Sequence, residues 1–135
     1  IAIIPALGEE LFFRGCIQQV LKEWFKHIHV AIWLTAFIFS FIHFEFYGFV
    51  PRMLLGALLG YMFYWSGSLW VPVIAHAFIN GMQVVLAYLH EHGAIAFDIS
   101  GDEALPGYVV LICTALAGAL LFYFKKVSDR QKFIF

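Results

Sequence analysis

The stretch Glu9-Glu10-Leu11-Phe12-Phe13-Arg14-Gly15 places three charged side chains inside a run that is otherwise apolar from Ile1 to Cys16. In a membrane-spanning helix, each glutamate or arginine near the centre costs roughly 2.5–3.5 kcal/mol on insertion scales. Simple addition gives on the order of 8–10 kcal/mol for three such charges before any pairing. Ionisable residues inside a membrane are rare and mark functional sites, so this stretch predicts one.

The composition of the chain is that of a membrane protein. Of its 135 residues, 63% are hydrophobic and 13% are charged, and the mean hydropathy is +0.87. Soluble domains are about 45–50% apolar and about 25% charged. A net charge of −1 without a basic stripe argues against a nucleic-acid partner, whereas the lipid bilayer is an expected one.

Five apolar segments are each predicted to be helices, because lipid offers no hydrogen-bond partners to irregular backbone. They cover residues 1–21, 30–43, 50–65, 69–89 and 108–124. Residues 45–52 are predicted to connect the second and third segments, and Ser66-Gly67-Ser68 to form the turn before the fourth. Gly56 and Gly60 have the GxxxG spacing that allows close helix contact. The predicted fold is an all-α, polytopic transmembrane helix bundle of about five helices, forming a single domain over residues 1–135.

The basic residues indicate an orientation. If all five segments cross the membrane, Lys22, Lys26 and the basic tail after Phe124 share one face, and Arg52 is the single basic residue on the other. The positive-inside rule then places the C-terminus in the cytoplasm. The short loops suggest a bacterial cytoplasmic membrane. Because the sequence starts with Ile inside an apolar run, we expect it to be the C-terminal part of a larger bundle whose N-terminal helices are missing here.

Other polar residues recur on the apolar segments. Glu10 and Arg14 are spaced i, i+4 and can pair, which leaves Glu9 without a partner in the sequence. His43 ends the second segment, and His76 and Asn80 share one face of the fourth. Taken singly, these residues suit structural roles: an ion pair, a hydrogen-bonded helix end and bonds between helices. Together they supply a carboxylate base, two imidazoles and an amide donor, which is the inventory of a hydrolase.

Three motifs in this order resemble the CAAX protease and bacteriocin-processing (CPBP or Abi) family, which includes the type II CAAX prenyl endopeptidases. They are Glu9-Glu10-Leu11-Phe12-Phe13-Arg14, Phe39-Ser40-Phe41-Ile42-His43 and His76-Ala77-Phe78-Ile79-Asn80. The resemblance covers roughly residues 1–87 and implies a family fold of about eight transmembrane helices, of which this chain would supply the catalytic part.

The resemblance also implies a role for each motif residue. Glu9 would activate a water molecule for attack on a peptide carbonyl, and His43 would help to hold that water. His76 and Asn80 would stabilise the oxyanion, and Glu10 and Arg14 would support the geometry. This glutamate mechanism uses no cofactor or metal, and we favour it. Zinc is the alternative, with Glu9, His43 and His76 as its ligands, although the sequence lacks a His-Glu-x-x-His motif.

The sequence therefore predicts an intramembrane endopeptidase acting on peptide or protein substrates, lipidated or membrane-embedded ones included. A non-catalytic scaffold or bacteriocin self-immunity protein is the first alternative, in which the polar residues only join helices. A proton-coupled transporter is the second, in which Glu9, Glu10 and the histidines relay protons. Glu9 discriminates between the first two hypotheses, because a structural cluster has no need of a carboxylate left over from pairing.

Overall fold

The computed structural model describes residues 2–44, 46, 48–94, 118–119 and 121–129. The chain comprises two compact units, Ile1–Val85 and Leu86–Phe135. The helices are α1 (Ile3–Glu10), a π-helical segment (Leu11–Ile17), α2 (Gln18–Phe25), α3 (Ile28–Phe41), α4 (Phe49–Ser66) and α5 (Trp70–Glu91). In the second unit, residues 118–119 and 121–129 are helical. Across these described residues there is no β-strand, so the predicted all-α class is confirmed.

The first apolar segment is helical throughout but changes its hydrogen-bond pattern in the middle. The π-helical segment starts directly after Glu10, and the N–H of Gln18 reaches back five residues to the carbonyl of Phe13. π-helical turns are rare and frequently occur at functional sites. Lys26, in the left-handed conformation, ends the continuous run. The glutamate pair therefore lies at the junction of an α-helix and a π-helix.

The GxxxG spacing on α4 allows the close approach that it predicted. A Cβ atom on Gly56 would lie 3.3 Å from Ala36 Cα on α3, and one on Gly60 would lie 3.0 Å from Ile32 Cγ2. Ile32, Ala36 and Ala57 form the buried apolar cluster at this contact. A Cβ at either position would require neighbouring atoms to shift by a few tenths of an ångström.

The turn before α5 also has the predicted form. Gly67 has a φ of +65°, a left-handed conformation that glycine adopts without steric cost. The Ser66 hydroxyl accepts a hydrogen bond from the N–H of Ser68 at 3.2 Å. This turn ends α4 and brings the chain into α5.

One sequence prediction needs correction, and two others stay untested. The connection predicted over residues 45–52 is too long, because α4 already begins at Phe49. The Ser40 hydroxyl ties this end of α4 to α3 by donating to the carbonyl of Phe49 at 2.6 Å. Of the fifth segment, residues 108–117 and 120 lie outside the described residues. The single-domain prediction stays a prediction.

Within the described part of the chain, one helix, Trp70–Glu91, is both long and apolar enough to cross a membrane. The apolar helix Ile28–Phe41 has only 14 residues, fewer than the about 20 that a straight span needs. The polytopic arrangement therefore remains a prediction.

Candidate active site

His76 lies between the two glutamates that the sequence analysis singled out. Its Nδ1 is 2.7 Å from Oε1 of Glu10, and its Nε2 is 3.7 Å from Oε2 of Glu9. Glu10 is fully buried, His76 is nearly so, and the Glu9 side chain retains 30% of its exposure. The structure thus brings α1 and α5 together at one carboxylate–imidazole–carboxylate array, with Glu9 at its accessible end.

The hydrogen bond to Glu10 fixes the tautomer of His76. A carboxylate oxygen accepts hydrogen bonds, so the ring must carry a proton on Nδ1 to make the 2.7 Å contact. Nε2 is consequently the ring atom that faces Glu9. A buried carboxylate that orients a histidine in this way leaves the second ring nitrogen available for chemistry.

Arg14 holds Glu10 in place from the other side. Its Nη1 donates to Oε1 of Glu10 at 2.8 Å, which confirms the predicted i, i+4 pair. Its Nη2 donates to the carbonyl of Gly56 on α4, also at 2.8 Å. The guanidinium lies over the ring of Phe39 at 5.1 Å from the centroid, a cation–π distance. Because Arg14 is fully buried, these contacts replace part of its lost hydration, while its Nε makes no hydrogen bond to any residue that the structure describes.

The buried Phe39 ring connects the second motif to this array. Its centroid lies 5.0 Å from that of His43 and 6.0 Å from that of His76, in edge-to-face arrangements. The two imidazoles therefore pack on the same aromatic side chain, next to Arg14. Phe13 of the π-helical segment completes the packing at 5.0 Å.

His43 is exposed at the end of α3, and its Nδ1 lies 2.7 Å from the carbonyl of Phe39. That carbonyl accepts a hydrogen bond, so Nδ1 carries the proton and Nε2 is left for water or substrate. His43 thus makes the hydrogen bond at a helix end that its structural interpretation predicts. The same bond sets its tautomer.

Asn80 lies one helical turn beyond His76 and is half-buried. No hydrogen bond joins its amide to another of the described residues. Asn80 therefore shares a face of α5 with His76 but makes no hydrogen bond to the array.

Gln18 is a buried polar residue that the sequence analysis did not single out. Its Nε2 donates to the carbonyl of Gly60 at 3.3 Å, one helical turn along both helices from the bond between Arg14 and Gly56. Its spacing of four residues from Arg14 could have revealed it, since i, i+4 residues share a helix face. The pair of bonds fixes the position of the π-helical segment along α4.

A convergent metal-ligand set is not found in the described parts of the chain, where no three histidine, cysteine, aspartate or glutamate side chains gather as ligands would. Glu9 and His76 are close to each other, but the geometry does not add His43 as a third ligand.

Comparison with known proteins identifies the family. The model of the Rce1-like type II CAAX prenyl endopeptidases matches residues 1–82. The uncharacterized protein YpbD of Bacillus subtilis is 30% identical over 86 residues, and CAAX prenyl protease 2 of Arabidopsis thaliana is 26% identical over 130 residues. These alignments cover 61% and 82% of this chain, but 41% of each relative. No solved structure matches the chain.

The matched region contains the Glu9-Glu10 pair, Arg14, His43, His76 and Asn80, the residues of the three motifs. The resemblance drawn from those motifs is thereby confirmed. Since the family model covers more than half of the sequence, the chain belongs to the Rce1-like family of type II CAAX prenyl endopeptidases.

Proposed function

We propose that the chain carries the catalytic centre of an intramembrane endopeptidase that cleaves a peptide bond with a water molecule activated by Glu9. The observation that carries the proposal is the placement of Glu9 at the accessible end of an array that Glu10 and Arg14 hold from the buried side. A general base must reach a substrate-bound water, whereas residues that orient it can be fully buried.

Glu9 suits the role of base because its carboxylate lies near His76 without a direct hydrogen bond to it. The 3.7 Å separation from His76 Nε2 exceeds the usual limit for a hydrogen bond, so both carboxylate oxygens of Glu9 can accept one from water. His43 would hold the same water through Nε2, because its Nδ1 is already bonded to Phe39. These two groups would bind and polarise the nucleophile.

The oxyanion that forms on the attacked carbonyl needs hydrogen-bond donors. Asn80 would offer its amide, and His76 would offer Nε2–H. One such donor is typically worth about 3–4 kcal/mol in the transition state. Since Nδ1 of His76 is bonded to Glu10, the ring can donate from Nε2 only when it is doubly protonated.

The family and the surface of α5 support a proposal for the substrate class. Members of this family are membrane proteases, and Ile74 and Phe78 expose large apolar side chains on α5. We propose that the protein lies in the bacterial cytoplasmic membrane with its C-terminus in the cytoplasm. The substrates would be peptides or proteins held at the membrane, with prenylated chains of the kind named for the Arabidopsis relative as one candidate. The proposed mechanism uses no metal, and zinc held by Glu9 and His76 is the alternative.

Membrane-peptide proteomics tests the function and requires no chosen substrate. Cells would carry the wild-type protein, Glu9→Gln, or the control Glu23→Gln, whose side chain is 71% exposed and pairs with the exposed Lys26. We expect a set of new peptide termini in wild-type and control cells that is absent with Glu9→Gln. Identical terminus profiles in all three cell lines would refute the proposed protease.

A further inference from the structure

Both ring nitrogens of His76 face carboxylates. Nδ1–H is donated to Glu10, so a singly protonated ring would present the Nε2 lone pair to Glu9 across 3.7 Å. Two acceptors facing each other at that distance repel. A proton on Nε2 converts the same contact into an attraction between an imidazolium and a carboxylate.

The charges around the array balance when His76 is doubly protonated. Glu9 and Glu10 contribute two negative charges from α1, and Arg14 contributes one positive charge from the π-helical segment. Neighbouring elements face the array with groups that carry no fixed charge: α3 presents the Phe39 ring, on which the titratable His43 also packs, and α4 presents the carbonyl of Gly56. The imidazolium supplies the second positive charge, which makes the four side chains neutral as a set. A buried cluster is far less costly when its charges are paired.

We propose that the doubly protonated His76 is the acid that protonates the leaving amine, and that Glu10 is the positioning residue that aims it. This inference rests on the proposed function and gives His76 a task beyond stabilising the oxyanion. An amine cannot leave as an anion, so C–N cleavage needs a proton at the nitrogen. The proton on Nε2 is held next to Glu9, where the nucleophile would be activated.

The proton steps balance over one turnover. Water forms a bond to the carbonyl carbon while Glu9 takes one of its protons, giving a tetrahedral oxyanion. The oxyanion then collapses, the C–N electron pair moves to nitrogen, and the proton on His76 Nε2 passes to that nitrogen. Glu9 is now protonated and His76 is singly protonated. Transfer between these two neighbouring groups restores the starting state.

A pair of substrates that differ in the leaving group tests this assignment. One is a membrane peptide that the wild-type protein cleaves, and the other carries a thioester at the scissile bond, because a thiolate leaves without being protonated. A glutamine amide can still donate an N–H to the oxyanion but cannot release a proton, so we expect His76→Gln to slow amide cleavage at least about 100-fold and thioester cleavage only a few-fold. Glu10→Gln should show the same split, which a merely structural role would not produce. Asn80→Ala should slow both substrates equally, as the loss of an oxyanion donor does.

Equal slowing of both substrates by His76→Gln would overturn the proposal and leave the protease standing. Wild-type rates with Glu9→Gln would instead refute the proposed function itself. If His76→Gln fails to fold, ring-nitrogen NMR of the ¹⁵N-histidine-labelled wild-type protein decides the matter. The His76 signals are assigned by elimination, from variants that replace each of the other histidines in turn. Protons on both ring nitrogens at neutral pH would support the proposal, and a bare Nε2 would contradict it.

Discussion

Oε1 of Glu10 accepts hydrogen bonds from both Arg14 Nη1 and His76 Nδ1, although His76 lies 66 residues further along the chain. The carboxylate therefore belongs to a local ion pair and to a contact between α1 and α5. A residue interpreted from the sequence as structural support thus also sets the tautomer of a candidate catalytic histidine. Removal of Glu10 should affect both stability and chemistry.

Replacing Arg14 with leucine should destabilise the folded protein. The change would leave the buried Glu10 carboxylate without its cation, and the loss of one partner of a buried pair costs about 3–5 kcal/mol. Lys26→Leu is the control, because it breaks an ion pair that is exposed on both sides. Exposed pairs contribute about 0–1 kcal/mol. Thermal unfolding in detergent would measure both variants, and equal midpoints would contradict the assigned burial of Arg14.

Gly60→Ala should destabilise the contact of α4 with α3 and the π-helical segment. The added Cβ would lie 2.9 Å from Gln18 Oε1 and 3.0 Å from Ile32 Cγ2, so neighbouring groups must move. Overpacking of this kind costs about 1–3 kcal/mol.

Gly81→Ala on α5 is the matched control for Gly60→Ala. A Cβ there meets nothing within 4 Å, and alanine favours helix over glycine by about 1 kcal/mol. We expect Gly81→Ala to leave the unfolding midpoint unchanged or raised. A Gly60→Ala protein as stable as Gly81→Ala would show that α4 does not approach its neighbours as closely as described.

His43→Ala should abolish cleavage while the helices remain folded. The side chain is exposed, and its bond to the carbonyl of Phe39 only closes the end of α3. Loss of a group that holds the attacking water should reduce the rate about 10²–10⁴-fold. His29→Ala is the control, since His29 is also exposed and hydrogen-bonds to Tyr61. Circular dichroism and cleavage rates would be measured together, and equal activities would remove His43 from the site.

Removal of metal ions should leave the rate unchanged if the glutamate mechanism holds. The purified protein would be treated with a strong chelator, passed through a desalting column and assayed with and without added zinc. An activity lost on chelation and restored by zinc would replace the glutamate mechanism by a metal-dependent one. The assay has a built-in control, because chelator and zinc can be applied to Glu9→Gln in parallel.

Relationships within one helix could be predicted from the sequence, whereas relationships between helices could not. The i, i+4 spacing of Glu10 and Arg14 and the glycine spacing on α4 follow from helical geometry alone. The contact of Glu10 with His76 depends on how α1 and α5 pack, which no local pattern encodes. Glu9 was interpreted as left over from pairing, and the structure gives it His76 as a neighbour.

The π-helical segment had no sequence signal either. Its residues are apolar apart from Arg14 and Gly15, and the hydrogen-bond pattern distinguishes it from an α-helix. The burial of Gln18 likewise depends on a neighbouring helix, because α4 presents the carbonyl of Gly60 to its amide.

The central claim is that Glu9 activates the attacking water, and the rate of peptide cleavage by purified Glu9→Gln tests it most directly. The substrate would be a peptide whose cleavage in cells depends on the wild-type protein, and Glu23→Gln would be assayed beside it. We predict that Glu23→Gln cleaves at the wild-type rate and that Glu9→Gln, although still folded, is slower by at least about 100-fold. Cleavage by folded Glu9→Gln at the wild-type rate would contradict the claim.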